Sequence, residues 1–536
     1  MNPTRRKLLK TCLAGATALA AGNARPPAPA KGADQMAPLR LRAYTASGDP
    51  LPPQAYGSLY LTDLERNPLR QRPAFRDGVA ALEEVPQTPF TVIMQLDVDG
   101  FGRVYQVADN AGHGYHGDEG EVNLNHEFAA SRLASVQTAY DQGEREDCDF
   151  SAEVGARLKR AADALDRAKA ALKDPAQCAP ACEESLRESL WAGEQVVFER
   201  ARHEIANRGR RDGFLFGCNC FGYPQHGNQY ASLFAELLNF ATLPFYSLSL
   251  QSAEARAGAY PRLDTMVHWT QRCGITAKGH PLTWFHRAGI PQAVRDKTFD
   301  EIEALGRAGI REIVRRYAGQ IDIWDVINEA HDWGNELDFS QDQLLHMTRL
   351  AAETTKEANP NAIAIVNNCT PFGEYVSHGR TYFGEVKRPM RAPIEYLRAC
   401  IDAGIDFDVV GVQLYYPGYD MLEISRLLDR FAQFGKPVHV TELGVSSDTR
   451  PDPSAHGKQP SAAYWHAPWS ETVQADWIEQ FYTLCYSKPY VEAITWWDFA
   501  DKGHFWPHGG FLRPDMTPKE SYSRLKQLLA SWGHAR

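Results

Sequence analysis

From residue 213 to the end of the chain, short apolar runs alternate with stretches whose apolar positions recur every three or four residues. The runs fall at 214–218, 243–248, 275–279, 321–327, 362–366, 407–413, 438–441 and 493–497, and each reads as a strand buried on both faces. The stretches between them, such as 298–317, 341–357 and 421–434, read as covering helices. Regular alternation of strand and helix implies an all-parallel sheet, and eight units are the number that closes a barrel. The expected fold class is α/β, with a (β/α)8 TIM barrel over residues 211–536. Before it, residues 38–125 carry short alternating runs at 39–44, 58–61, 90–98 and 102–107, broken by Asp-Pro, Pro-Pro and Asp-Gly turn signals. That pattern predicts a small β-sandwich, expected to serve packing or spacing ahead of sugar binding. Residues 126–210 are dominated by Ala, Glu, Arg and Leu at helical spacing, and Pro175 and Pro180 divide them into a helical hairpin.

The first 24 residues do not fit this plan. Arg5 and Arg6 precede a short apolar run, 11–21, with small-residue cleavage options at 18–20 and after Ala24. This resembles a twin-arginine export signal, so a periplasmic or extracellular destination is expected. Residues 25–37, rich in Pro and Ala, read as a linker. Without the signal nine cysteines remain, an odd number that leaves at least one thiol unpaired. Cys148, Cys178 and Cys182 share one helical region where a pair could bridge. Cys218 and Cys220 lack a second pair at zinc-like spacing, so no metal and no cofactor are expected. The net charge of −10 argues against a nucleic-acid partner. Past the signal no apolar run is long enough to span a membrane.

In such a barrel the chemistry lies at the C-terminal strand ends. The third predicted strand ends in Lys278 and His280, with Trp284 and His286 following. The fourth ends in Asn328 and Glu329, the sixth in Gln413 and Tyr415, the seventh in Glu442, and the eighth in Trp497. A carboxylate where a buried strand ends needs a partner or a task, and here there are two. Cleavage of a glycosidic bond needs such a pair: one carboxyl to protonate the leaving oxygen, the other to act at the sugar carbon. Aromatic faces and amides around them suit a sugar, so a polysaccharide or oligosaccharide is the expected partner.

Three motifs carry a family resemblance: Trp-Asp-Val-Ile-Asn-Glu-Ala at 324–330, Lys-Gly-His-Pro-Leu-Thr-Trp at 278–284, and Val-Thr-Glu-Leu at 440–443. Together they resemble glycoside hydrolase family 10, whose best-known members are endo-β-1,4-xylanases. The resemblance implies a retaining glycosidase with Glu329 as acid/base and Glu442 as nucleophile. It also implies that Asn239, Lys278, His280, Trp284, Asn328, Gln413, Tyr415 and Trp497 bind substrate. The chain departs from the family pattern in its sugar-gripping positions. Around 238–242 only Asn239 matches, Phe285 and Tyr415 stand where histidines are usual, and Gly444 replaces an Asp. The retaining mechanism is therefore expected more firmly than xylan as substrate. Alternatives are a relative acting on a different β-glycoside or decorated glycan, a non-hydrolytic carbohydrate-binding barrel, and a metal hydrolase built on His268, His280 and His286.

Overall fold

The computed structural model describes residues 39–536 apart from 77, 118–119, 382–383, 416–417 and 457–463. The export signal expected over residues 1–24 and the linker over 25–37 lie outside the described residues. The N-terminal region holds β1 (Leu39–Arg42), β2 (Tyr60–Asp63), β3 (Ala74–Arg76), β4 (Val79–Leu82), β5 (Phe90–Val98), β6 (Gly102–Ala108) and β7 (Glu121–Asn123). They form a four-stranded sheet, β3-β4-β1-β7, and a three-stranded one, β2-β5-β6. Leu39, Leu41, Leu82, Leu61, Phe90 and Val92 meet in one core between the sheets, as alternation along the strands requires.

Three helices follow, not the hairpin of two that the prolines predict: α1 (Leu124–Arg145), α2 (Ala152–Ala170) and α3 (Pro175–Arg208). Pro175 opens α3, where its missing N–H costs nothing, and Asp174 caps the first turn. Pro180 lies inside the same helix. The break after α1 falls instead near Asp147, which takes a left-handed conformation (φ 58°) that no Gly or Pro announces. Cys178 and Cys182, one turn apart in α3, bring their sulfurs to 3.7 Å as hydrogen-bonded thiols, not a disulfide.

The barrel strands are β8 (Leu215–Asn219), β9 (Phe240–Pro244), β10 (Thr276–His280), β12 (Ile323–Asn328), β13 (Ile363–Asn368), β16 (Val409–Leu414), β17 (Val438–Leu443) and β18 (Val491–Trp496). All neighbouring pairs are parallel, and the β8–β18 and β10–β12 pairings close the ring. The short β11 (Thr283–Trp284) extends the pairing of β12, and β14 (Arg380–Thr381) with β15 (Gly384–Glu385) makes a small ribbon. Helix starts between strands are written locally: Thr298 and Glu301 form a capping box for Phe299–Arg316. Among the described residues no helix is long and apolar enough to cross a membrane.

One strand is misplaced by the apolar pattern. The second barrel strand is Phe240–Pro244, not 243–248. From 237 to 250 polar residues occur only singly among apolar ones, so hydrophobicity does not fix where the ladder stops. Pro244 has no N–H with which to continue the ladder. Tyr246 then turns the chain with φ 37° into the 3-10 turn Ser247–Leu250.

Candidate active site

The floor of the site is an ion pair inside the barrel. Lys278 Nζ lies 2.7 Å from Asp325 Oδ2, with both side chains fully buried. Asp325 also accepts from Nδ1 of His280 at 2.7 Å. Burial pushes the Asp325 carboxyl up, but the Lys278 ammonium and His280 outweigh it, so its pKa falls below the ordinary carboxylate value. His280 is held low by burial against the pull of Asp325. It is neutral at neutral pH, and donating Nδ1–H downward leaves Nε2 as an acceptor, 3.7 Å from Glu442 Oε1.

Above this floor the two glutamates face one set of amides. Glu329 follows the end of β12 with φ 55°, a strained conformation for a non-glycine residue that turns its side chain off the strand path. Its Oε2 accepts from Trp284 Nε1 at 3.1 Å and its Oε1 from Gln413 Nε2 at 3.1 Å. Glu442 accepts from Asn367 Nδ2 at 3.0 Å and from the Tyr415 hydroxyl at 2.9 Å. Asn328 Oδ1 joins the halves, taking Asn367 Nδ2 at 2.7 Å and Gln413 Nε2 at 3.2 Å. Register shifts at Val412/Gln413 and between Val440 and Leu443 flank Gln413 and Glu442. Such irregularities re-aim side chains at barrel mouths. Burial, then the charge on Glu329, pushes the Glu442 carboxyl up to about 8, against Lys278 and the Tyr415 hydrogen bond. Two carboxyls in one buried site repel each other's ionisation, so the pair keeps one proton to about that pH.

Aromatic rings wall the mouth. Trp284 stacks on His286 at 4.4 Å, and Tyr415 stacks on Trp506 at 5.4 Å. Trp497 meets the edges of His280 at 5.2 Å and Phe221 at 5.4 Å. Glu329, Glu442, Lys278, His280, Trp284, Asn328, Gln413, Tyr415 and Trp497 thus occupy one mouth. Asn239 does not join them. It precedes β9, at the opposite end of the barrel, where its side chain accepts from Phe216 N at 2.7 Å and donates to Phe214 O at 2.9 Å. It entered the expected site as the one match to the family's sugar-gripping motif around 238–242, and the structure places it before the strand rather than after it. His268 likewise sits outside, exposed on helix Ala253–Arg272 and bonded to the Asp264 carbonyl.

Three site residues escape the strand-end reading. Asn367 ends the fifth strand in an Asn-Asn pair, the same signal read at the other strands. Asp325 is an acid within an apolar strand. Tyr246 follows the shifted second strand; its ring lies 6.2 Å from Trp284 and 6.5 Å from His280. Burial and then the charges of Glu442 and Glu329 hold its hydroxyl well above the ordinary phenol range, which places that hydroxyl in the field of both carboxylates.

Residues 226–525 match the model of glycosyl hydrolase family 10. An endo-1,4-β-xylanase B of Thermotoga neapolitana is 24% identical over 281 residues, covering 49% of this chain and 72% of that protein. A β-1,4-xylanase of Dictyoglomus thermophilum is 26% identical over 254 residues, covering 46% of this chain and 67% of that protein. The crystal structure of native xylanase 10B from Thermotoga maritima aligns with a TM-score of 0.45 and 19% identity, covering 63% of this chain and 99% of that one. The N-terminal sheets and α1–α3 lie outside the family match.

Proposed function

The chain belongs to glycosyl hydrolase family 10, and from that premise we propose that it is an exported retaining glycosidase acting on a β-linked plant polysaccharide, with Glu329 as acid/base and Glu442 as nucleophile. The observation that carries the reading is the amide bridge of Asn328, Asn367 and Gln413, which ties both carboxylates to one barrel mouth. In the first step the Glu329 carboxyl gives its proton to the glycosidic oxygen while a Glu442 oxygen bonds to the anomeric carbon and the leaving sugar departs. In the second, the Glu329 carboxylate takes a proton from water, whose oxygen displaces Glu442 and restores the original configuration. Asn328 lies beside the nucleophile, where a sugar hydroxyl meets it. The relatives' names point to β-1,4-xylan, and residues 1–24 supply the twin-arginine route out of the cytoplasm.

The pair needs one proton in total, and burial with mutual repulsion holds it to about pH 8. Below that pH the pair holds one proton, which turnover requires on Glu329 with Glu442 ionised; above it both carboxyls are ionised and no proton is available for the leaving oxygen. We therefore expect kcat/KM to fall about tenfold per pH unit above pH 8, as loss of a single proton requires. A profile flat to pH 10 contradicts the shared-proton pair.

Tyr246 stands where a polar grip on the sugar would sit. Its ring lies beside Trp284 and His280, and Tyr246→Phe is expected to lower kcat/KM about 3–10-fold, the worth of one ordinary hydrogen bond to sugar. Aryl β-xylosides, β-xylobiosides and β-glucosides, compared on both proteins, locate the effect. Equal kinetics on all three remove Tyr246 from the sugar site.

A further inference from the structure

Tyr415, the hydroxyl donor to Glu442, begins the loop that joins β16 to helix Met421–Ala432. The far end of that loop is gripped by the N-terminal region. The Tyr105 amide in β6 donates to the Gly418 carbonyl at 2.8 Å. Tyr419 shares a hydroxyl–hydroxyl hydrogen bond of 2.7 Å with Tyr60 of β2. Its ring is sandwiched between Tyr105 at 4.7 Å and Phe372 at 3.5 Å, both nearly parallel to it. Asp420, fully buried, takes a two-point contact from Arg132 of α1, at 2.6 and 3.0 Å, and caps the following helix through Leu422 N. The loop after β17, which starts two residues past Glu442, is held by the same region. Arg103 N of β6 donates to Tyr464 O at 3.0 Å, and Glu194 of α3 accepts from Trp465 Nε1 at 2.8 Å and from Met421 N at 3.0 Å.

These ties exceed what a spacer needs. A tether requires exposed, sparse contacts, whereas here a buried two-point ion pair, a ring sandwich and main-chain hydrogen bonds converge on the two loops that flank the nucleophile. Among the described residues the large hydrophobic side chains that stand fully exposed are Leu64 and Leu172.

We propose that the N-terminal region is a working part of the catalytic unit, in which Arg132 and Tyr60 are positioning residues that set Tyr415 against Glu442 through the β16 loop. This rests on Glu442 being the nucleophile. Neither residue touches substrate. Each anchors Tyr419 or Asp420, four and five positions past Tyr415, so that the Tyr415 phenol meets the carboxylate in the ionised form needed for attack. A misplacement of about 1 Å at a reacting group costs up to about a hundredfold in rate, so loosening the loop should register in turnover.

The test uses the full chain. Arg132→Lys keeps the charge but loses the planar two-point fork; Tyr60→Phe is a milder second probe should the first fold poorly. Each is made alone and with Tyr415→Phe, and kcat, KM and the pH profile are measured beside a thermal melt. We expect kcat to fall about tenfold in Arg132→Lys with KM within twofold of wild type. The basic limb should move above pH 8, as it should in Tyr415→Phe, because the Tyr415 hydrogen bond lowers the Glu442 pKa. On the Tyr415→Phe background each substitution should add less than twofold, because its route to the nucleophile is already cut. A lowered melting temperature with unchanged kcat and pH limb, or effects that multiply with Tyr415→Phe, overturns the proposal. Persistence of turnover in Glu442→Gln fails the underlying assignment instead, and does so independently of the double-variant comparison.

Discussion

Glu442→Gln in the full chain is expected to lower turnover of an aryl β-glycoside by at least about 10⁴-fold, the scale seen when a covalent catalyst loses its nucleophile. The fold should survive, because glutamine keeps the shape and a polar atom at each of the two positions, Oε1 and Oε2, that Asn367 and Tyr415 contact. Asn367 can still donate to the amide oxygen, and the Tyr415 hydroxyl can turn to accept from the amide nitrogen. Glu329→Gln behaves differently. It removes the acid, so its loss, about 10²–10⁴-fold, is largest for poor leaving groups and small for an activated aryl one. Turnover and melting temperature, measured together on both variants, check this. Near-normal rates for Glu442→Gln on any substrate, or for Glu329→Gln on a substrate with a poor leaving group, mean that the carboxylates are structural.

The second large effect falls on stability. Asp325→Ala is expected to cost about 3–5 kcal/mol, because Lys278 is then a buried charge without its counter-ion. Both side chains are fully buried, and His280 loses the acceptor of its Nδ1–H as well. Pairing Asp325→Leu with Lys278→Met should recover most of that loss, since a well-packed apolar pair replaces an ion pair at little net cost. Denaturant melts of the single and double variants decide it. A double variant as unstable as the single one would mean that the loss comes from the cavity and from His280 rather than from the orphaned lysine.

The barrel was legible because its strands are buried on both faces, which leaves compact apolar runs, and its helices are amphipathic. Seven of those runs overlap their observed strands closely, and β5 of the N-terminal region agrees residue for residue, 90–98. The second barrel strand was not fixed, because the apolar stretch around Phe240–Pro244 continues on both sides and only Pro244 marks its end. That slip hid Tyr246 inside the predicted strand, whereas Asn239 entered the expected site through a single match to the family motif. The short strands Ala74–Arg76, Val79–Leu82 and Glu121–Asn123 were too brief to stand out against turn residues. Helix Leu124–Arg145 was not singled out because the break after it, near Asp147, carries no Gly or Pro. The two glutamates were legible as acids at the ends of apolar strands. Asn367, which bridges Asn328 and Glu442, carried the same signal at the fifth strand end, whereas the grip of Arg132 on Asp420 spans 288 positions and has no local signature.

The central claim is that one sugar carbon bonds transiently to Glu442. A 2-deoxy-2-fluoro aryl β-glycoside slows the second step more than the first, so the glycosyl-enzyme accumulates and mass spectrometry of the digested protein shows which side chain carries the sugar. The expected result is one sugar adduct per chain, on the peptide that contains Glu442, and none on the Glu442→Gln protein. An adduct on another carboxylate, or turnover with inverted configuration and no adduct, contradicts the account.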